Sequence, residues 1–310
     1  MKALRIGTRG SKLALWQAEH IRARLLHEAG TESQIVVIKT SGDQFASAAI
    51  PDVGGKGIFI KEIEDALLEG RVDVAVHSMK DVPTATSRGL CFAAISKRED
   101  PRDCLVSRSG KPLAELPAAS LVGTSSLRRQ SQLLHLRRDL EVVNLRGNVD
   151  TRIRKLDAGE VDAIVVAKAG LDRLGLSGRI TQVLPPNIML SAVGQGALAI
   201  EAREADARTL EILATFDDAD SRAAVTAERA LLAELEGGCQ VPLGAWARIE
   251  EGKMRLDARV LSADGAECVH RHADGSPQEG ERLGRALARE LLDAGADRLL
   301  RLAGRSVGGG

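Results

Sequence analysis

The sequence contains no tyrosine, and aromatic residues of all kinds make up only 2% of it. Single-stranded nucleic acid is gripped on stacking side chains, so that partner finds no platform here. Nor is there a basic excess. The 43 Lys and Arg residues are matched by 43 Asp and Glu, for a formal net charge of zero, which argues against binding through phosphate neutralisation. No apolar run approaches the roughly 20 residues needed to span a bilayer. The opening stretch from Met1 to Gly7 has no signal-peptide core and reads directly as a buried strand. A cytoplasmic chain with no membrane or nucleic-acid partner is expected. The four cysteines, Cys91, Cys104, Cys239 and Cys268, are far apart and form no CxxC pair. Neither a metal site nor a disulfide framework has support, and reduced thiols are the simpler reading.

What is present is a globular composition, 44% hydrophobic and 28% charged, in 310 residues. That length suggests two or three domains. Leu4 to Thr8 reads as a strand, followed by Ser11 as N-cap of a helix carrying Leu15, Trp16, Ile21, Leu25 and Leu26. A strand from Gln34 to Lys39, a helix from Ile58 to Glu69 closed by Gly70, and a strand from Val72 to Val76 continue the alternation. This order implies a mostly parallel sheet with helices on its faces. The pattern restarts after Pro101: strands at Leu121 to Gly123, Glu141 to Leu145 and Asp162 to Ala167, helices at Ser126 to Arg138 and Val149 to Leu156. Ser96 to Asp103 is the expected hinge between the lobes, and Ala197 to Glu201 reads as a strand returning to the first. A helix from Ser221 to Glu236 ends at Gly237 and Gly238. Short β-like runs and one long helix from about Pro277 to Leu302 then suggest a small α+β domain.

Charge is distributed unevenly. Arg102 to Ala192 carries 14 Lys and Arg against nine Asp and Glu, whereas Val193 to Leu235 carries four against nine. Arg128 and Arg129 fall in the first turn of a helix, where the macrodipole disfavours each cation by roughly 0.3–1 kcal/mol. A helix N-terminus flanked by Thr124, Ser125, Ser126 and two guanidiniums is, however, a good anion cradle. Arg146 repeats the theme after the next strand, with Arg152 one turn into its helix. Both clusters sit at carboxyl ends of strands, where open α/β sheets bind ligands. Arg9 and Ser11 end the first strand of the first lobe and are expected to face them. The ligand should carry several carboxylates or phosphates. The alternative, a solvated surface with scattered arginines, stays open at this point.

Two phosphate motifs fail. Gly54-Gly55-Lys56-Gly57 lacks the leading glycine and the hydroxyl of a P-loop and reads instead as a lid, and Gly194-Gln195-Gly196 has no clear strand-to-helix context. Lys80 and Asp81 end a buried strand in a polar turn; such a pair is commonly surface decoration, and spacing alone does not decide. Cys239, set between Gly237-Gly238 and Gln240-Val241-Pro242, lies on a loop after a helix, whereas the other cysteines fall in or beside apolar runs. If one thiol acts, it is Cys239, although a buried inert thiol is the commoner fate.

These segments carry a resemblance. Arg9 to Ala18, Gly55 to Phe59, His77 to Pro83, Gly123 to Arg129, Asn144 to Val149 and Glu236 to Cys239 resemble, in order, the motifs of the hydroxymethylbilane synthase (porphobilinogen deaminase) family. The match covers at least residues 5–245. The resemblance implies an α/β fold: two periplasmic-binding-protein-like lobes plus a small α+β C-terminal domain. The domains would be 1–97 with 197–216, 102–192 and 218–303, with 304–310 as a disordered tail.

It implies a transferase of tetrapyrrole biosynthesis, condensing four porphobilinogen molecules head to tail with loss of ammonia. It also implies a covalent dipyrromethane cofactor held as a thioether by Cys239. Asp81 would be the catalytic carboxylate, and Lys80, Asp81, Thr124, Ser126, Arg128, Arg129 and Arg146 would contact the cofactor. Arg9, Ser11, Arg146, Arg152 and Arg173 would hold substrate carboxylates, with Lys56 and Phe59 on a closing loop. A monomer is expected. The rival readings are a non-catalytic bilobal binder of small anions and, more weakly, a nucleotide-dependent enzyme.

Overall fold

The computed structural model describes residues 3–40, 60–235 and 241–307. The expected lid at Gly54 to Gly57 and the Gly237-Gly238 helix stop lie outside the described residues. The chain divides into two compact units, residues 1–99 with 196–222, and residues 100–195 with 223–310.

In the first unit, β1 (Leu4–Thr8) leads into α1 (Lys12–Ala29), β2 (Ser33–Val37), α2 (Lys61–Leu68), β3 (Val74–Ser78), a tight turn of helix (Met79–Asp81) and β4 (Leu90–Ile95). Ser11 caps α1, its hydroxyl accepting from the Ala14 N–H at 3.3 Å, and Gly30 closes the helix in the left-handed region. The inward face of α1 is Gln17, Ala18, Ile21 and Leu25. Leu26, one of the apolar residues this helix carries, is 55% exposed, because one residue turns the helix by about 100° away from Leu25.

The chain then builds β5 (Asp103–Ser107), β6 (Leu121–Gly123), α3 (Leu127–Leu136), β7 (Glu141–Val143), α4 (Val149–Asp157), β8 (Ala163–Ala167), α5 (Lys168–Arg173) and β9 (Gln182–Val183). It returns as β10 (Leu198–Arg203) and α6 (Ala207–Ala214). The remainder is α7 (Ala219–Glu234), β11 (Leu243–Glu250), β12 (Lys253–Leu261), β13 (Cys268–Gly275), α8 (Gly280–Asp293) and α9 (Ala296–Val307).

The two five-stranded sheets share one plan. Their orders are β2-β1-β3-β10-β4 and β7-β6-β8-β5-β9. In each, three strands run parallel, and the fourth runs antiparallel to both its neighbours. The reversed strand is the returning β10 in the first sheet and the entering β5 in the second. Helices cover both faces of the first sheet. Leu4, Ile6, Val74, Val76 and Ile200 pack on Ala18, Ile21 and Leu25, while Ala75 and Leu90 pack with Ile63, Ala66 and Leu67. The third sheet is an antiparallel meander, β11-β12-β13, whose Leu256, Ala258 and Val260 pack on Leu231, Leu287, Leu291 and Leu299.

Local pattern does not single out β4, β5 or β9, and it joins what the structure separates. The long helix expected from Pro277 to Leu302 is a tight turn at Pro277–Glu279 followed by two helices, broken at Gly295, whose φ is 93°. The second of them continues to Val307, past the start of the expected tail.

Candidate functional site

The carboxyl ends of β1 and β3 are neighbours, since the strands pair in parallel with Ile6 opposite Val74 and Gly7 opposite Ala75. The bend that follows β1 holds Arg9 and Ser11. It is fixed by the Ser11 cap and by the Thr8 hydroxyl donating to the Ala14 carbonyl at 3.1 Å. The turn after β3 holds Lys80 and Asp81, both half-buried. That turn is pinned by buried Met79, whose N–H donates to Ala197 at 3.0 Å, and by buried Val82, whose N–H donates to the Met79 carbonyl at 3.1 Å. Gln17 of α1 donates to the Ser78 hydroxyl at 2.8 Å, tying the two strand ends together. Arg9, Ser11, Lys80 and Asp81 are thus gathered at one end of the first sheet.

Behind this turn lies a buried pair that sequence reasoning missed. His77 Nε2 is 3.0 Å from Glu201 Oε2, and both side chains are almost fully buried. Glu201 Oε1 has no hydrogen-bond partner among the described residues. Glu64 lies close enough for Glu201 and His77 to act on it, and burial pushes its carboxyl up, opposed by a hydrogen bond from the Ser87 hydroxyl. The signal was available: Glu201 stands inside the apolar run Ala197 to Ala202.

In the second unit, β6 delivers Thr124 to Ser126 to the start of α3, and β7 delivers Asn144 to Asn148 to the start of α4. These two turns are in contact. Gly123 is needed there, because a Cβ at that position would come within 2.7 Å of the Leu145 side chain. Arg152 reaches back from α4, donating from Nε to the Gly147 carbonyl at 2.8 Å and from Nη2 to the Ser125 hydroxyl at 2.9 Å. Thr124 is buried, and its hydroxyl accepts from the Ser126 N–H at 3.1 Å. Ser126 is the N-cap of α3 and makes no side-chain cap bond. Arg146 is exposed, and Arg173, at the end of α5, is buried.

Arg128 and Arg129 do not stand at a bare helix end. They are 4% and 7% exposed and share the carboxylate of Asp103, which is fully buried. Arg128 Nη1 donates to Asp103 Oδ2 at 2.7 Å and to the Leu190 carbonyl at 2.5 Å. Arg129 donates to Asp103 Oδ1 from Nε at 3.1 Å and Nη2 at 2.8 Å, and to the Val165 carbonyl from Nη1 at 3.1 Å. Gln195 adds a bond to the same oxygen at 2.9 Å. Burial pushes the Asp103 carboxyl up, but the two guanidiniums more than reverse this and hold it far below the usual carboxylate range. Burial also lowers the Arg128 pKa, with Asp103 opposing. Two cations against one anion leave a net positive charge, and Arg128 Nε is buried with no partner among the described residues. Sequence reasoning missed Asp103. Its signal was an acid opening a wholly buried strand directly after Arg102.

Cys239, Lys56 and Phe59 lie outside the described residues. Of the described cysteines, burial pushes the Cys104 thiol up to about 12 and also raises Cys91 and Cys268. No group of three or more metal-ligating side chains occurs among the described residues.

Residues 4–211 match the family model described as porphobilinogen deaminase, dipyromethane cofactor binding domain, and residues 222–293 match its C-terminal domain. The chain is 52% identical over 299 residues to a porphobilinogen deaminase of Desulforudis audaxviator, covering 95% of this chain and 96% of the relative. It is 50% identical over 302 residues to that of Syntrophobacter fumaroxidans, covering 96% and 97%. Among solved structures, it is similar to a periplasmic substrate-binding protein of an ABC transporter from Coxiella burnetii, at 15% identity and a TM-score of 0.41, covering 69% of this chain and 91% of that one. That last likeness is too loose to assign anything. With family models across both of its parts and relatives matched over nearly their whole length, the chain belongs to the porphobilinogen deaminase family.

Proposed function

We propose that this chain condenses four porphobilinogen molecules head to tail on a dipyrromethane thioether-linked to Cys239, releasing four ammonia molecules and taking up one water to free the product as hydroxymethylbilane. The observation that carries the reading is the buried trio of Asp103, Arg128 and Arg129 with its surplus positive charge and unpartnered guanidinium N–H. A buried, unpaired donor on a cation costs several kcal/mol of order unless a ligand meets it, and a carboxylate-bearing pyrrole is such a ligand. The donors present therefore fit the group. Thr124, Ser126, Arg128, Arg129, Arg146, Lys80 and Asp81 would hold it. When bound, the dipyrromethane supplies a covalent root from which the pyrrole chain grows.

The remaining roles belong to the protein's own side chains. Arg9, Ser11, Arg146, Arg152 and Arg173 bind acetate and propionate groups, which arginine forks engage bidentately. Asp81 carries the chemistry. Departure of ammonia leaves positive charge on the incoming pyrrole, and a fixed carboxylate at a half-buried turn stabilises it and can hold or move a proton. Lys56 and Phe59, which lie outside the described residues, limit water entry. Three domains, 1–97 with 197–216, 102–192 and 218–303, divide these tasks. We further infer a monomer working in the cytoplasm, where a thiol destined for a thioether stays reduced.

Intact-protein mass spectrometry tests the reading. The purified chain should carry an adduct equal to two condensed pyrrole units, absent from Cys239→Ala. A bare chain that takes up no porphobilinogen favours a non-catalytic binder of small anions instead.

A further inference from the structure

Asp103 occupies the first position of β5, and all four of its side-chain hydrogen bonds come from residues distant in sequence: one from Arg128, two from Arg129 and one from Gln195. Arg128 and Arg129 are adjacent on α3, both buried, at the helix end where the macrodipole already opposes cations. Two like charges so placed repel each other and are driven outward toward water. Asp103 prevents this by dividing its two oxygens between them. Oδ2 takes Arg128 Nη1, and Oδ1 takes the Nε and Nη2 edge of Arg129. The two arginines end in different states. Each of the three guanidinium nitrogens of Arg129 donates to the protein, whereas Arg128 is held through Nη1 and keeps its Nε without a partner among the described residues. Gln195 donates to Asp103 Oδ1, the oxygen that Arg129 also engages, and to the Pro101 carbonyl at 2.7 Å, adding a neutral tether to the carboxylate.

We propose that Asp103 is a positioning residue that turns a mutually repelling arginine pair into a pre-aligned receptor for a single carboxylate, with Arg128 as the recognising group and Arg129 as its strut. The proposal rests on the reading that this cluster receives pyrrole carboxylates. It makes a prediction that charge alone reverses. Removing the anion of Asp103 raises the positive charge of the trio, so a purely electrostatic role predicts tighter carboxylate binding in its absence. A positioning role predicts weaker binding.

The test uses full-length wild type, Asp103→Asn and Asp103→Glu, each prepared without adduct and titrated with porphobilinogen while pyrrole mass on the intact protein is recorded. Asn keeps the shape and removes the charge; Glu keeps the charge and displaces the carboxylate by one methylene. The expected result is a half-saturating porphobilinogen concentration raised about tenfold or more in both variants, the change that about 1.4 kcal/mol of lost carboxylate binding produces. Unchanged or tighter uptake by Asp103→Asn, or wild-type uptake by Asp103→Glu, overturns the proposal. Should neither accumulate as folded protein, Gln195→Leu removes one of the four donors and leaves both ion pairs. A raised half-saturation supports the proposal, and an unchanged one overturns it. Failure of the wild type itself to take up pyrrole mass refutes the family chemistry in this chain, an outcome distinct from wild-type uptake with unaffected variants.

Discussion

Arg152 donates to the hydroxyl of Ser125 at 2.9 Å, joining a helix that follows β7 to the turn that follows β6. Its second bond, from Nε to the Gly147 carbonyl at 2.8 Å, closes the turn from which Arg146 projects. Arg152 therefore organises both turns as well as adding charge to them. Arg152→Ala should raise KM for porphobilinogen with a smaller fall in kcat, and Arg152→Lys should rescue little, because a single ammonium cannot span both acceptors as a fork does. Steady-state kinetics on the two variants check this; full rescue by Lys would reduce Arg152 to a point charge.

Asp81 is held at a turn anchored by the backbone N–H groups of Met79 and Val82, which its replacement by Asn leaves in place. Asp81→Asn should leave the melting temperature close to wild type and lower kcat by about 10²–10³-fold, the scale on which a fixed electrostatic stabiliser acts. Near-normal formation of tetrapyrrole by that variant would remove Asp81 from the chemistry.

Arg129 and Arg146 look alike as letters and behave as opposites in the fold. Arg129 is buried on an anion, and breaking a buried pair costs about 3–5 kcal/mol. Arg146 is exposed, so its truncation should change stability by no more than about 0.5 kcal/mol. Chemical unfolding should therefore find Arg129→Ala strongly destabilised and Arg146→Ala unchanged, while uptake of porphobilinogen falls in both. Normal uptake by Arg146→Ala would place that side chain outside the site.

That contrast marks where the sequence stops being informative. Strand ends are legible because apolar runs such as Val74 to Val76 and Ala163 to Ala167 stop at polar turns, so the positions of Lys80, Asp81 and Thr124 follow from local pattern. Partnership is not legible. Asp103 meets Arg128 and Arg129 across 25 and 26 residues, and His77 meets Glu201 across 124. Both contacts exist because reversed strands, β5 and β10, insert beside β8 and β3 inside the two sheets. Nothing in a single stretch of chain encodes which distant strand will reverse. Gly295 failed to register for a different reason: an isolated glycine in an apolar helical pattern is usually tolerated, and only its left-handed φ reveals the break.

Asp73 links β1 and β10 through Arg5 at 2.8 Å and Arg203 at 3.1 Å. Burial alone would raise its pKa, but hydrogen bonds from these arginines overcome that and bring it down to about 2. A folded-state pKa below the unfolded one gives stabilisation that is complete above about pH 4, the ordinary carboxylate value. It fades as the pH falls towards 2. Because both guanidiniums are partly solvated, the contribution should be about 1–2 kcal/mol. Asp73→Asn should therefore be less stable than wild type at pH 6, with the gap closing between pH 4 and pH 2 in urea melts. A gap independent of pH would mean that lost packing, not charge, explains the variant.

Gly280 and Gly284 lie one turn apart on α8, facing α7, the helix that leads to the segment bearing Cys239. A Cβ on Gly284 would lie 2.1 Å from the Ala227 carbonyl, and one on Gly280 would lie 3.0 Å from that of Ala223. Two effects oppose each other in Gly284→Ala. Helix propensity favours Ala by about 1 kcal/mol, whereas forcing two packed backbones apart costs about 1–3 kcal/mol or more. The obstacle is backbone, which cannot rotate away as a side chain can, so the steric term should win and the variant should unfold at lower urea. At Gly295, where a Cβ would meet nothing within 4 Å, the same substitution is penalised only by the positive φ. Gly284→Ala should therefore be the more damaging of the two. Equal losses would mean that α7 and α8 can separate freely.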